Sequence, residues 1–304
     1  MMLGHSRTLR RAIVGAAALG VASLALLQAV TPAGSSASTA AATSDACGTL
    51  LTKADGTGWT CSYVDNFDGK ALDPTKWITQ QTAVTGFRSG QTCFTTSSKN
   101  IRVFRGALEL TARAERGKFL CKSPSGDFTT TYTGGMVGTR TKFSQTYGRF
   151  EVRAKYPAVT TPGVHGGFWM FPLNQRYGPW PASGEIDVAE WWSNDPTLVM
   201  PSLHFNGRNA MLDSGWGCRV SDPSSYHTYA VEWLPTGISF FIDGSLCFTR
   251  TPTPAAPLVA PQPFDHPFSM ILHLGVGTTG GTNPVSKATP LPATYTVDYA
   301  KAWR

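Results

Sequence analysis

The stretch Gly184-Glu185-Ile186-Asp187-Val188-Ala189-Glu190-Trp191-Trp192 places three carboxylates within six residues, with apolar residues between them. Side chains alternate between the two faces of a strand, so Glu185 and Asp187 share one face and Glu190 belongs to the other. One bulged residue between Asp187 and Glu190 would put Glu185, Asp187, Glu190 and Trp192 on the same side. Carboxylates crowded in this way repel, and at least one pKa must rise. That is a poor choice for a structural strand and a good one for chemistry. Cleavage of a glycosidic bond needs one carboxylate to attack and one carboxylic acid to protonate the leaving oxygen. The plainer reading is a solvated strand face with three acids. Trp180, Trp191 and Trp192 around the run weigh against it, because an indole ring stacks on the apolar face of a sugar.

Further out, Arg7, Arg10 and Arg11 precede an apolar run over residues 12–30, and small residues follow as far as Ala40-Ala41-Ala42. This predicts a secretory signal peptide over residues 1–42 and a secreted, extracellular protein. No other stretch is apolar enough to span a membrane, so no membrane partner is expected after processing. The formal charge of +7 falls to +4 when those three arginines leave with no acids. The remaining basic residues are scattered, which argues against a nucleic-acid partner. Six cysteines (Cys47, Cys61, Cys93, Cys121, Cys218, Cys247) predict disulfides in an exported chain. Pairing in sequence order is favoured among the alternatives, since each bridge then closes a local loop.

Residues 43–304 are the right size for one all-β domain. Strands are expected at residues 101–104, 108–112, 148–155, 167–171, 185–192, 197–205, 228–233, 238–242, 268–276 and 295–303, between turns rich in Gly, Pro, Asn and Ser. Asp243-Gly244 between apolar runs signals a hairpin. Many short strands without a long helical period argue for a sandwich or barrel. In the run from Val164 to Phe171, the residues His165, Gly167, Trp169 and Phe171 share one face.

Several segments together resemble a family 16 glycoside hydrolase. Pro179-Trp180-Pro181-Ala182-Ser183-Gly184-Glu185-Ile186-Asp187 is similar to that family's catalytic strand and its lead-in. Gly134-Gly135-Met136, Tyr147–Lys155, Phe168-Trp169-Met170, His227–Trp233, Phe240–Gly244 and Thr296–Tyr299 follow the family's order of strands. The bulged Glu-x-Asp-x-x-Glu form resembles the laminarinase and agarase branches.

The resemblance implies a concanavalin-like jelly-roll β-sandwich with an open cleft on its concave sheet. It implies a retaining endo-hydrolase with Glu185 as nucleophile, Glu190 as acid/base and Asp187 between them, acting on a polysaccharide, β-1,3-glucan first. A galactan or agar-type polymer, a cell-wall transglycosylase and a non-catalytic sugar-binding sandwich remain as alternatives. Trp180, Trp169, Trp192, His204 and His165 are the expected substrate contacts. No cofactor is required for this chemistry, and a monomer is expected. A structural calcium ion on the convex side would use Asp298, with carbonyls near Asn66 and Gly106; the alternative is an ordinary strand-end acid. The family's laminarinases often carry Trp-Pro-Ala-Phe-Trp where this chain has His165-Gly166-Gly167-Phe168-Trp169, a change expected to reshape a subsite.

Overall fold

The computed structural model describes residues 43–304; the signal peptide expected over residues 1–42 lies outside them. Strands dominate. The catalytic-strand candidate, Glu185–Trp192, lies between Val199–His204 on one side and Val164–Pro172 on the other. Phe268–Val276 and Phe128–Gly138 come next. The long strand Ala107–Cys121 then carries the hydrogen-bonded path over to Ala293–Trp303, Gly148–Lys155, His227–Leu234, Gly237–Ile242 and Ser245–Arg250. All these neighbours are antiparallel. The result is a jelly-roll sandwich whose two layers bury one core.

The period-two pattern decides which side faces the core. Val164, Phe168 and Met170 from one strand and Phe268, Met270, Leu272, Leu274 and Val276 from its neighbour are all buried in the main cluster. They meet Phe150, Val152, Leu108, Leu110, Val231 and Trp233 from the other layer. Trp191, expected to point away from Trp192, is fully buried in that core. The Asp243-Gly244 hairpin forms as expected, with both residues at positive φ (50° and 75°), the signature of a tight two-residue turn that matches strand twist.

The central strand breaks its own alternation. Ile186 and Trp191 face the core, and so do the consecutive pair Val188 and Ala189. Pairing with Val199–His204 shifts register between Asp187 and Glu190, and pairing with Val164–Pro172 shifts between Phe168 and Trp169. This is the β-bulge the carboxylate spacing requires. It is held from beneath: the Tyr156 hydroxyl donates to the Ala189 carbonyl at 2.7 Å, and the Tyr156 ring stacks on Trp191 and Tyr295. Opposite the bulge sits Gly167, where a Cβ would lie 2.6 Å from the Ala189 carbonyl oxygen.

The disulfides pair in sequence order, Cys47–Cys61, Cys93–Cys121 and Cys218–Cys247. Strands at Cys61–Asp65 and Thr92–Phe94 were not expected, and of Phe128–Gly138 only Gly134-Gly135-Met136 was, through the family resemblance. The last begins Phe-Thr-Thr-Thr-Tyr-Thr, which lacks the apolar alternation that marks a strand. Its hairpin partner is solvated over much of its second half. Among the described residues no helix is long and apolar enough to cross a membrane.

Tyr156→Phe takes away the hydroxyl that satisfies the Ala189 carbonyl. We expect a loss of about 1–3 kcal/mol, the cost of an unsatisfied buried acceptor, read as a lowered midpoint in thermal unfolding followed by circular dichroism.

Candidate active site

The bulge turns four side chains of the central strand into one cleft. Glu185, Asp187, Glu190 and Trp192 all line it, together with His165, Gly167 and Trp169 from the neighbouring strand. The cleft measures about 870 Å³. Register explains who meets whom. His165 lies opposite Trp192, Gly167 opposite Glu190, and Trp169 opposite Asp187. On the other side Glu185 lies opposite His204.

Each carboxylate meets one ring nitrogen from a different segment. The Trp180 indole N–H donates to Glu185 Oε2 at 2.6 Å. His204 Nε2 stands 2.9 Å from Asp187 Oδ2. His165 Nε2 lies 2.9 Å from Glu190 Oε1, and its Nδ1 lies 2.7 Å from the Ser89 hydroxyl. His165 also stacks on Trp192, with ring centroids 5.0 Å apart and planes 12° from parallel.

Burial comes first in the electrostatics. It pushes the Glu185 carboxyl up, and the negative charges of Asp187 and Glu190 push it further, while the Trp180 N–H opposes them. Burial and Asp187 push Glu190 up in the same way, and the His165 hydrogen bond pulls it back. Such a cluster retains a proton at neutral pH, and that proton belongs to the group rather than to one residue.

Trp180, expected to stack on a sugar, is 54% exposed and leans over His204 at 5.8 Å; its N–H is already engaged by Glu185. Trp169 lines the cleft from behind, packed against Phe87 and Phe171. Its N–H donates to His273 Nδ1 at 3.0 Å. An indole nitrogen is donor only, so His273 Nδ1 must accept and the proton sits on Nε2. That Nε2–H is buried without a partner, and the residue lines the cleft. His227 lies in the other layer, bonded to Asp243. Asp298 is outside the cleft, its carboxylate accepting from Arg153 at 2.7 Å.

Sequence reasoning missed three residues here. Phe87 and Ser89 reach the cleft from the segment before Thr92–Phe94, and no local pattern announces them. Trp216, 46% exposed at the cleft rim, did leave a signal: a lone indole in Ser-Gly-Trp-Gly-Cys, tied down by Cys218–Cys247. Among the described residues, two groups of three or more acidic, His or Cys side chains are close enough to share a cation. One is Glu185, Asp187 and His204, within 4.8 Å of one another; the other is Asp45 with the Cys47–Cys61 pair, whose sulfurs are bonded to each other.

Residues 88–301 match the model described as Glycosyl hydrolases family 16. The chain is 32% identical over 262 residues to a β-glucanase of Rhodothermus marinus, covering 81% of this chain and 85% of that one. It is also 32% identical over 266 residues to glucan endo-1,3-β-glucosidase A1 of Niallia circulans, of which it spans 38%. The fold aligns with the X-ray structure of the laminarinase from R. marinus at a TM-score of 0.67 and 33% identity, over 81% of this chain and 97% of that one.

The crowded carboxylates cost stability in a pH-dependent way. The Glu185 carboxyl lies above its ordinary value of 4.5 in the fold, so the folded state binds more protons than the unfolded chain once pH exceeds that value. The penalty is absent below about 4.3, the unfolded Glu value, and grows as pH rises towards the folded one. Glu185→Gln should therefore raise the melting temperature at pH 8 and change it little at pH 4. Equal shifts at both pH values would contradict a charge origin.

Proposed function

The chain belongs to glycosyl hydrolase family 16, and from that premise we propose a retaining endo-hydrolase of β-1,3-glucan. The observation that carries this reading is the shared face of Glu185, Asp187 and Glu190, opened onto a cleft by the bulge. Two of the similar proteins are named for β-glucan chemistry, a glucan endo-1,3-β-glucosidase and a β-glucanase. The polarity of the pair comes from the family pattern: Glu185 as nucleophile, Glu190 as acid/base.

In the first step Glu185 attacks the anomeric carbon while Glu190 gives its proton to the departing oxygen. Burial and the neighbouring charges push Glu185 up as they do Glu190; the Trp180 N–H works against them, towards the ionised carboxylate a nucleophile needs. Burial beside Asp187 favours a protonated Glu190. In the second step Glu190 takes a proton from water, and the water oxygen replaces Glu185 on the sugar. Asp187 sits between the two with His204 against it and holds the charge balance of the group. Trp216 and Trp192 offer aromatic surface along the cleft. No cofactor takes part. We further propose that residues 1–42 are removed on export, a reading compatible with three disulfides.

Glu190→Ala should lower turnover of the polymer by about 10²–10⁴-fold, and Glu185→Gln by at least as much. Azide should rescue Glu190→Ala on an aryl glycoside with retained anomeric configuration; an inverted product would contradict the roles. Laminarin should yield oligosaccharides rather than glucose when products are sized by chromatography. Cleavage confined to agarose or β-1,3-galactan, with laminarin untouched, would replace the substrate and keep the mechanism.

A further inference from the structure

We propose that His165, fixed by Ser89, is a positioning residue that decides which oxygen of Glu190 carries the acidic proton. The proposal rests on the reading of Glu190 as acid/base.

Both ring nitrogens of His165 are occupied by protein atoms, Nε2 by Glu190 Oε1 at 2.9 Å and Nδ1 by the Ser89 hydroxyl at 2.7 Å. One ring face is covered by Trp192. No nitrogen is left for a sugar, so the hydrogen-bonding capacity of this side chain is spent inside the site. Once Glu190 has given up its proton it is a carboxylate and acceptor only, so the contact then requires a proton on Nε2, and a ring that keeps one tautomer through both steps carries it there from the start. The neutral ring then presents a bare Nδ1, and a serine hydroxyl can donate to it. Ser89 is buried and, among the described residues, its hydroxyl has no other hydrogen-bond partner.

The consequence falls on Glu190. With the Nε2–H on Oε1, the proton of the acid sits on Oε2, which has no hydrogen-bond partner among the described residues and is not a buried orphan. During glycosylation the Oε2–H bond breaks, its proton passes to the glycosidic oxygen, and the bond from that oxygen to the anomeric carbon breaks with its electron pair. The carboxylate left behind keeps the Nε2–H. During deglycosylation a water proton returns to Oε2 as the water oxygen bonds to the anomeric carbon and the bond to Glu185 breaks. His165 holds one tautomer throughout, and no heavy atom need move.

The other titratable groups facing this pair are Glu185 and Asp187 on the same strand, His204 from Val199–His204, His273 from Phe268–Val276 and Tyr156 from beneath. His273 shares no hydrogen bond with His165; the two rings meet edge to face at 5.0 Å. Among the described residues, His165 is the one side chain hydrogen-bonded to the Glu190 carboxyl. Without that donor, burial and Asp187 would hold the carboxyl protonated over a wider pH range and leave the proton free to occupy either oxygen.

The test measures kcat/KM against pH for the wild type, His165→Phe, His165→Gln and Ser89→Ala. Two substrates are used, the polymer and an aryl glycoside with an acidic leaving group that needs little protonation. His165→Phe should lower polymer kcat/KM by about 10–100-fold, the worth of a hydrogen bond to a charged group. It should also move the basic limb up by about one pH unit, while the aryl glycoside keeps most of its rate. Gln can place an amide N–H near the same oxygen, so His165→Gln should restore much of the profile. Ser89→Ala should shift the limb in the same direction by less. Equal losses on both substrates with an unmoved basic limb would make His165 a wall of the cleft and overturn the proposal. Should His165→Phe fail to fold, as judged by circular dichroism, Ser89→Ala decides: an unmoved limb there overturns it too. Glu190→Gln is run alongside. Full activity in that variant overturns the acid/base reading itself, whereas an inactive Glu190→Gln with unmoved limbs in the others overturns only the role of His165.

Discussion

Three carboxylates on one strand face repel, and the rest of the site is arranged around that repulsion. Burial worsens it for Glu185 and Glu190. Each carboxylate is met by a single ring nitrogen, and the three rings come from three places: the loop before the strand, the strand on one side and the strand on the other. The contacts to Glu185 and Glu190 are hydrogen bonds, which contribute more when one partner is charged, whereas His204 approaches Asp187 closely without the alignment of one. The fold thus offsets part of the penalty without abolishing it. Complete neutralisation by arginine or lysine would hold every carboxylate ionised and leave no acid to donate a proton. Imidazole and indole relieve the charge while leaving a proton in the group, which is the state that sugar cleavage requires.

That compromise depends on the bulge, and the bulge depends on the layer beneath. Val188 and Ala189 both turn inward, so one extra residue must be absorbed in a sheet paired on both sides. The Tyr156 hydroxyl takes up the Ala189 carbonyl, and Gly167 leaves room for the same carbonyl to approach from the neighbouring strand. The core layer of tyrosines and Trp191 is therefore tied to the chemistry through one backbone oxygen. A defect there would rotate Glu190 and Trp192 relative to Glu185, since a shift of one residue exchanges the faces of a strand.

Much of this was legible in the chain because strand periodicity is local. The three carboxylates, their shared face and the bulge that their spacing demands follow from counting residues within one segment. The partners were harder. Ser89 lies 76 positions from His165, and Tyr156 lies 33 from Ala189; nothing in either neighbourhood marks them as part of a site. Trp180 was legible as part of the cleft but not as a hydrogen-bond donor to Glu185, because a tryptophan next to a sugar site suggests stacking before it suggests its N–H. The hairpin strand Phe128–Gly138 was obscured by threonines, which favour strands but blur the contrast between faces.

The segment His165-Gly166-Gly167 shows how a local departure can be read differently once neighbours are known. As a sequence it suggested a reshaped subsite. In the fold, a Cβ at Gly166 would strike the His273 carbonyl and the Leu274 side chain, both at 2.6 Å. One at Gly167 would strike the bulge. Both glycines therefore serve close packing of strands rather than an enlarged cavity. The residue that changes the cleft is His165, and what it changes is the environment of Glu190. A polar ring anchored at both nitrogens stands here in place of a stacking surface for sugar, so this end of the site exchanges stacking area for control of a proton.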